Sequence, residues 1–187
     1  MISTKVKFIE TQAEFKLWQI TDFFDPIVLA SLLEEIAQYP YKLTLGDRTE
    51  TDGVRVWCHQ QPRSTLKTIS KIFASDRIKS LLGHHTGTDF STLSTRVELC
   101  MDSPLSWLRP HTDDPAKKFV LQIYLSEGGK STRLGSEAVH TRINAGWMFV
   151  NNGTELHELP TLLSKRASII VNYVDDTWND RSVLVEG

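Results

Sequence analysis

The sequence predicts a mainly β protein of the α+β class, an antiparallel sandwich or jelly roll with helices packed on one sheet. Beyond about residue 93, short β-rich runs follow one another at turn spacing: "RVELCM", "SWLRPH", "KFVLQIYLS", "EAVHTRIN", "GWMFVNN", "ELHELP" and "RASIIVNYV". Such spacing belongs to antiparallel sheets rather than to strand–helix–strand units. Some runs carry apolar residues on both faces, so they are covered on both sides. Before residue 93 the apolar period is helical instead.

The elements follow in order. "FKLWQIT" reads as a short strand. Asp25 then offers a helix cap, Pro26 occupies the first helical position, and Val28, Leu29, Leu32, Leu33 and Ile36 repeat at helical spacing, which predicts a helix from about 26 to 38. Leu66, Ile69, Ile72 and Phe73 mark a second helix from Ser64 to Phe73, and a third starts at Ser75 and stops at Gly83. His84 and His85 then fall in a Gly-rich surface loop, and His140 lies on an exposed strand. The whole reads as a single domain of 187 residues: N-terminal strands and supporting helices over 1–92, a jelly-roll core over 93–175 and a C-terminal tail over 176–187.

Lys and Arg number 21 against 23 Asp and Glu, with no long single-sign run, so nothing points to nucleic acid or an anionic membrane surface. The first residues, "MISTKVKFIETQAEF", lack a signal-peptide core, and no apolar stretch is long enough to span a bilayer; a cytoplasmic location is the default. Cys58 and Cys100 sit in apolar runs without a Cys-x-x-Cys spacing and read as reduced packing residues. Oligomeric state is not written in any of these features.

Chemistry concentrates at "RPHTDDP". His111 and Asp113 are separated by one residue, so in extended backbone both project from one side and reach one point. Six His and twelve Asp produce this spacing by chance about four times in ten, and a solvated turn is the plain alternative. A jelly roll gives the pair a destination, because its strands enclose a lumen wide enough for a small ligand and a metal. His157, in "GTELHELP", is the best third ligand. Two imidazoles and one carboxylate on one face of a metal leave the opposite positions open, the facial arrangement of non-haem Fe(II) oxygenases.

Arg166 opens the apolar run "RASIIVNYV" nine residues after His157. Strand alternation sets it on one face with Ser168, Ile170 and Asn172, where a guanidinium and a hydroxyl can bind a carboxylate; pairing with an Asp or Glu of the chain is the alternative. Alternation also puts Val120, Gln122 and Tyr124 together on one face. Gln122 and Asn172 either line the pocket or are satisfied by neighbouring groups.

Over roughly residues 95–175 the chain resembles the Fe(II)- and 2-oxoglutarate-dependent oxygenases of prolyl-hydroxylase type. The motifs are "HTD", then "GWMFVNNGTELHELP", then "RAS" at the usual distance from the distal histidine, with "KFVLQIYLS" like the strand that often carries a cosubstrate-facing tyrosine. The resemblance implies a double-stranded β-helix core and iron ligands His111, Asp113 and His157. It also implies a 2-oxoglutarate site at Arg166, helped by Ser168 and Tyr124; strand alternation, not the resemblance, adds Gln122 and Asn172 to the candidates there. The expected activity is a dioxygenase that consumes O2 and 2-oxoglutarate, releases succinate and CO2, and hydroxylates or otherwise oxidises a small-molecule or peptidyl substrate. A non-catalytic cupin-like metal- or ligand-binding module has the same outline and is the competing expectation. One departure is "SEGGKSTRLG": the loop register after the tyrosine strand differs from the usual Gly-Gly followed soon by Thr, so no contact is transferred from it.

Overall fold

The computed structural model describes residues 2–39, 46–47, 54–128 and 132–186. Twelve strands occur among them: β1 (Lys7–Glu10), β2 (Leu17–Thr21), β3 (Gly46–Asp47), β4 (Val54–Trp57), β5 (Ser94–Asp102), β6 (Ser106–His111), β7 (Lys117–Tyr124), β8 (Thr132–Leu134), β9 (Glu137–Val139), β10 (Gly146–Val150), β11 (His157–Leu159) and β12 (Arg166–Val174). The helices are α1 (Pro26–Ile36), α2 (Thr65–Ala74) and α3 (Asp76–Thr86). A seven-stranded sheet runs β1-β2-β10-β7-β12-β5-β4, and a five-stranded sheet runs β3-β6-β11-β8-β9. This is the jelly-roll core with N-terminal helices on one sheet that the residue pattern predicts.

Each sheet face has its own core. On the outer face of the large sheet, Val97, Leu99 and Met101 of β5, Ile169, Val171 and Tyr173 of β12, and Phe119, Leu121 and Ile123 of β7 pack under Leu32, Leu66, Ile69, Phe73 and Leu82 of the helices. The Tyr173 hydroxyl donates to the Phe73 carbonyl at 2.8 Å, fixing α2 to the sheet. On the inner face a smaller cluster of Leu17, Val120, Tyr124, Leu134, Trp147 and Phe149 lies toward the second sheet. The two faces explain why β7 and β12 are buried at nearly every position.

Local chemistry sets the helix starts. The Asp25 carboxylate accepts from the Ile27 N–H at 2.9 Å and the Ser64 hydroxyl from the Lys67 N–H at 3.0 Å, so both caps satisfy N–H groups that a helix leaves without partners. α3 continues to Thr86 and ends at Gly87, whose φ of 72° supplies the left-handed cap. His84 and His85 are therefore helical, not in a loop, and the His85 ring lies tilted against Phe8 with centroids 4.5 Å apart. Gly83 did not stop the helix, because a single glycine costs only about 1 kcal/mol against packing of Ile78 and Leu82. His140 lies just past β9 rather than on it.

The sharpest steric demand is at Gly146 of β10, where an added Cβ would stand 1.8 Å from the Gln122 carbonyl oxygen of β7. Gly146→Ala must push two central strands apart, and we expect a loss of about 3 kcal/mol or more, the upper end of overpacking costs. Thermal unfolding checks it; an unchanged midpoint would show that β10 and β7 separate freely. No helix among the described residues is long and apolar enough to cross a membrane.

Candidate metal and 2-oxo-acid site

β6 and β11 are neighbours in the small sheet, and their register sets His111 directly opposite His157. The imidazole centroids are 4.2 Å apart. Asp113 lies two residues past His111, beyond the strand end, so its approach comes from the turn that follows β6 rather than from strand alternation. One ligand atom from each of the three residues falls within 4.8 Å of the others. Asp113 Oδ2 is 3.5 Å from His157 Nε2, close to the roughly 3 Å that separates neighbouring ligand atoms around a metal with bonds of about 2.1 Å.

Hydrogen bonds orient all three groups. Nδ1 of His111 lies 2.9 Å from the Arg109 carbonyl and Nδ1 of His157 lies 3.0 Å from the Glu155 carbonyl. Both Nδ1 atoms therefore carry the proton, and both Nε2 lone pairs are left for a metal. The Lys117 ammonium donates to Asp113 Oδ1 at 2.6 Å, holding one carboxylate oxygen and leaving Oδ2 toward the histidines. Burial pushes the His157 imidazole below its usual range, and Asp113 offsets only part of this. Burial raises the Asp113 carboxyl, but Lys117 and His157 together outweigh it, and the group ends below the ordinary carboxylate range. A neutral imidazole and an ionised carboxylate are the forms that coordinate.

The inner face of the large sheet supplies the opposite wall. Strand register aligns Arg166 with Asp102, Ser168 with Cys100 and Tyr124, Ile170 with Glu98 and Gln122, and Asn172 with Arg96 and Val120. A cavity of about 90 Å³ lies between the sheets, lined by the three candidate ligands together with Lys117, Gln122, Thr132, Trp147, Arg166 and Asn172 among others. Ser168 and Tyr124 stand behind this lining. Gln122 Nε2 donates to Ser168 Oγ at 2.8 Å, and the Tyr124 hydroxyl joins Thr132 Oγ1 at 2.7 Å and accepts from Trp147 Nε1 at 2.9 Å.

Arg166, 4% exposed, has a partner inside the chain. Its Nε and Nη2 donate to Asp102 Oδ2 at 2.9 and 2.7 Å, and Nη1 donates to Thr132 Oγ1 at 3.1 Å. Burial works against the guanidinium's charge, and Asp102 more than restores it. The alternative of an internal carboxylate partner is thus realised, while Arg166 still lines the cavity. Asp102 and Thr132 were not singled out from sequence. The signals were faint: Asp102 ends the inner-face alternation of "RVELCMD", and Thr132 lies just past 129–131, which fall outside the described residues. Lys117, four residues after Asp113, was equally unremarked.

No protein-family model matches the chain, and no curated protein matches it by sequence. Solved structures do. A Pseudomonas putida prolyl-4-hydroxylase has 16% identity and a TM-score of 0.65 over 87% of this chain and 94% of that one. A Trichoplax adhaerens prolyl hydroxylase, solved in complex with a hypoxia inducible factor oxygen degradation domain peptide fragment, has 14% identity and a TM-score of 0.63 over 86% and 84%. A Burkholderia pseudomallei oxidoreductase of the 2OG-Fe(II) oxygenase family has 16% identity and a TM-score of 0.59 over 81% and 80%. At such identities the likeness is one of fold. The chain has the jelly-roll fold of 2-oxoglutarate- and Fe(II)-dependent oxygenases, with a His-Asp-His constellation inside it.

Proposed function

We propose that the protein is a non-haem Fe(II)- and 2-oxoglutarate-dependent dioxygenase that hydroxylates a small-molecule or peptidyl substrate. The observation that carries the reading is the facing pair His111 and His157, each with Nδ1 bonded to a backbone carbonyl and each with a ligand atom within 4.8 Å of one from Asp113. The donor set fits a ferrous ion: two neutral imidazoles and one carboxylate, with the cavity on the open side. An iron held there supplies, with 2-oxoglutarate and O2, the oxidising power that yields succinate, CO2 and a hydroxylated C–H position.

The chain's own residues do the rest. His111, Asp113 and His157 hold the ion, and Lys117 fixes the carboxylate rotamer. Arg166 with Thr132 receives the distal carboxylate of the keto acid, and Tyr124 with Trp147 braces Thr132. Gln122, tied to Ser168, borders the same space. Leu108, Val120 and Ile170 keep water out. Cys58 and Cys100 are both buried, and reduced packing thiols suit a reducing, cytoplasmic setting.

One observation favours a second reading, a cupin-like binding module without oxidation: Asp102 already neutralises Arg166. Anaerobic titration separates the two. In the dioxygenase, Fe(II) and 2-oxoglutarate together produce a visible absorption band, and admitting O2 yields succinate. Iron binding with neither band nor succinate would install the module instead.

A further inference from the structure

We propose that the groove between α1 and α2 docks an acidic amphipathic segment of a partner protein. The two helices are neighbours on the outer face of the large sheet, so the groove is separate from the metal and keto-acid site. It is open and measures about 520 Å³. Its floor is apolar, with Ile27 and Val28 of α1 meeting Ile69 and Ile72 of α2. Ile27 is 79% exposed and lies outside the stripe of Leu29, Leu32, Leu33 and Ile36 that packs on the core. Folding gains little from an isoleucine there, whereas an incoming apolar side chain has a surface to cover.

Charge names the occupant. Arg63, Lys67 and Lys71 line the groove at four-residue spacing, one row along α2 and the turn before it. Like charges so spaced destabilise a helix. Lys71 suits the last turn, but Arg63 and Lys67 stand at the N-terminal end, where the helix dipole disfavours cations, and the first turn holds no acid. None of the three has an ion pair among the described residues. No acidic side chain among those residues lines the groove; Glu35 borders only its polar continuation past Arg63. The carboxylates of Asp25 and Glu35, which reach the two helix starts, already accept from the N–H groups of Ile27 and Thr65. Arg63 also holds a φ of 47°, the left-handed region that an arginine adopts only at a cost. Like-charge spacing, dipole and backbone strain thus all work against the helix, and together they set a row of unpaired cations beside an apolar floor. The complement is a segment with Asp or Glu at helical spacing next to Leu or Ile. α2 has 10 residues, about 15 Å, so roughly three helical turns of a partner fill the groove. Its concavity favours such a segment over a bilayer surface, which would touch only the rim.

The test selects on the full chain from a phage-displayed library of random peptides about twelve residues long, which matches the groove in helical form. The enriched peptide is then synthesised with a fluorescent label and its binding measured by anisotropy. Enriched sequences are expected to carry acids and apolar residues at helical spacing, and their binding should weaken as salt rises. Arg63→Glu combined with Lys67→Glu should raise the half-saturation concentration about tenfold or more, because two attractions become repulsions. The same exchange sets acids at a helix start, so the thermal midpoint should hold or rise, and lost binding is not lost folding. Ile27→Asp should weaken binding about tenfold by removing the apolar anchor. No enrichment, enriched peptides without acids, or variants that bind as tightly as the wild type would each overturn the proposal. Sedimentation with phosphatidylserine vesicles that the double variant loses, without any enriched peptide, would assign the groove to a membrane surface instead. None of these outcomes depends on iron or 2-oxoglutarate.

Discussion

Asp113→Ala and His157→Ala are each expected to abolish iron-dependent succinate formation while leaving the thermal unfolding profile broadly intact. Each removes one of three donors from a site where the chain supplies no fourth among the described residues. Lys117→Met tests the same geometry from behind: it keeps all three donors but frees Asp113 Oδ1, and should weaken iron binding by about 10- to 100-fold, the usual effect of losing a group that orients a ligand. Excess iron should restore Lys117→Met and not Asp113→Ala. The pH response adds a sign. Because burial holds His157 below the usual imidazole range, its neutral form persists to lower pH than an ordinary histidine would allow, so iron affinity should survive mild acidification. In the ion-free protein the unfolded imidazole takes up a proton first, so this group's contribution to stability is lost as pH falls through the ordinary histidine value. Succinate formation by Asp113→Ala within about tenfold of wild type would remove Asp113 from the metal.

How far the residues alone reach depends on the range of the interaction. The jelly roll was legible because strand alternation and turn residues are local, and β5 to β7 and β9 to β12 each carry their own signal; β8 (Thr132–Leu134) falls in "SEGGKSTRLG", which reads as a loop. His111, Asp113 and His157 were legible as types and spacings. That His111 and His157 are cross-strand neighbours is a matter of register between β6 and β11, which no local pattern states. Asp102 and Arg166 are 64 residues apart and meet only because β5 and β12 pair. Glu98 and Arg55 meet through the pairing of β4 with β5. In "RVELCMD" the charges at Arg96, Glu98 and Asp102 alternate with Val97, Leu99 and Met101, so the run reads as one solvated and one buried face. The structure instead buries both: Arg96 lies between the Trp57 and Trp178 rings, Glu98 pairs with Arg55 and Arg96, and Asp102 pairs with Arg166. A polar stripe facing a lumen and a polar stripe facing water are the same string of letters.

That burial governs what happens when Arg166 is removed. A guanidinium serving a ligand alone predicts a weaker 2-oxoglutarate titration and little else. Arg166 also holds Asp102, 2% exposed, through two charge-assisted hydrogen bonds. Taking the cation away leaves a buried carboxylate uncompensated by it, a change that typically costs about 3–5 kcal/mol. Arg166→Met is therefore expected to lower the unfolding midpoint markedly as well as to abolish 2-oxoglutarate binding, and activity loss in that variant cannot be assigned to the anchor by itself. Asp102→Leu combined with Arg166→Met removes both charges and should recover most of the lost stability, since a buried pair is often replaceable by apolar side chains of similar volume. The double variant, folded but without the anchor, is the decisive protein. It should bind iron as the wild type does and fail to form the 2-oxoglutarate band, because the guanidinium beside Thr132 that would meet the distal carboxylate is gone. Asp102→Asn works in the opposite direction: it retains an oxygen for Nε and Nη2 but gives up the competing charge, so the keto acid should stabilise it more than it stabilises the wild type. A double variant that still titrates with 2-oxoglutarate at the wild-type concentration would show that the keto acid is anchored elsewhere.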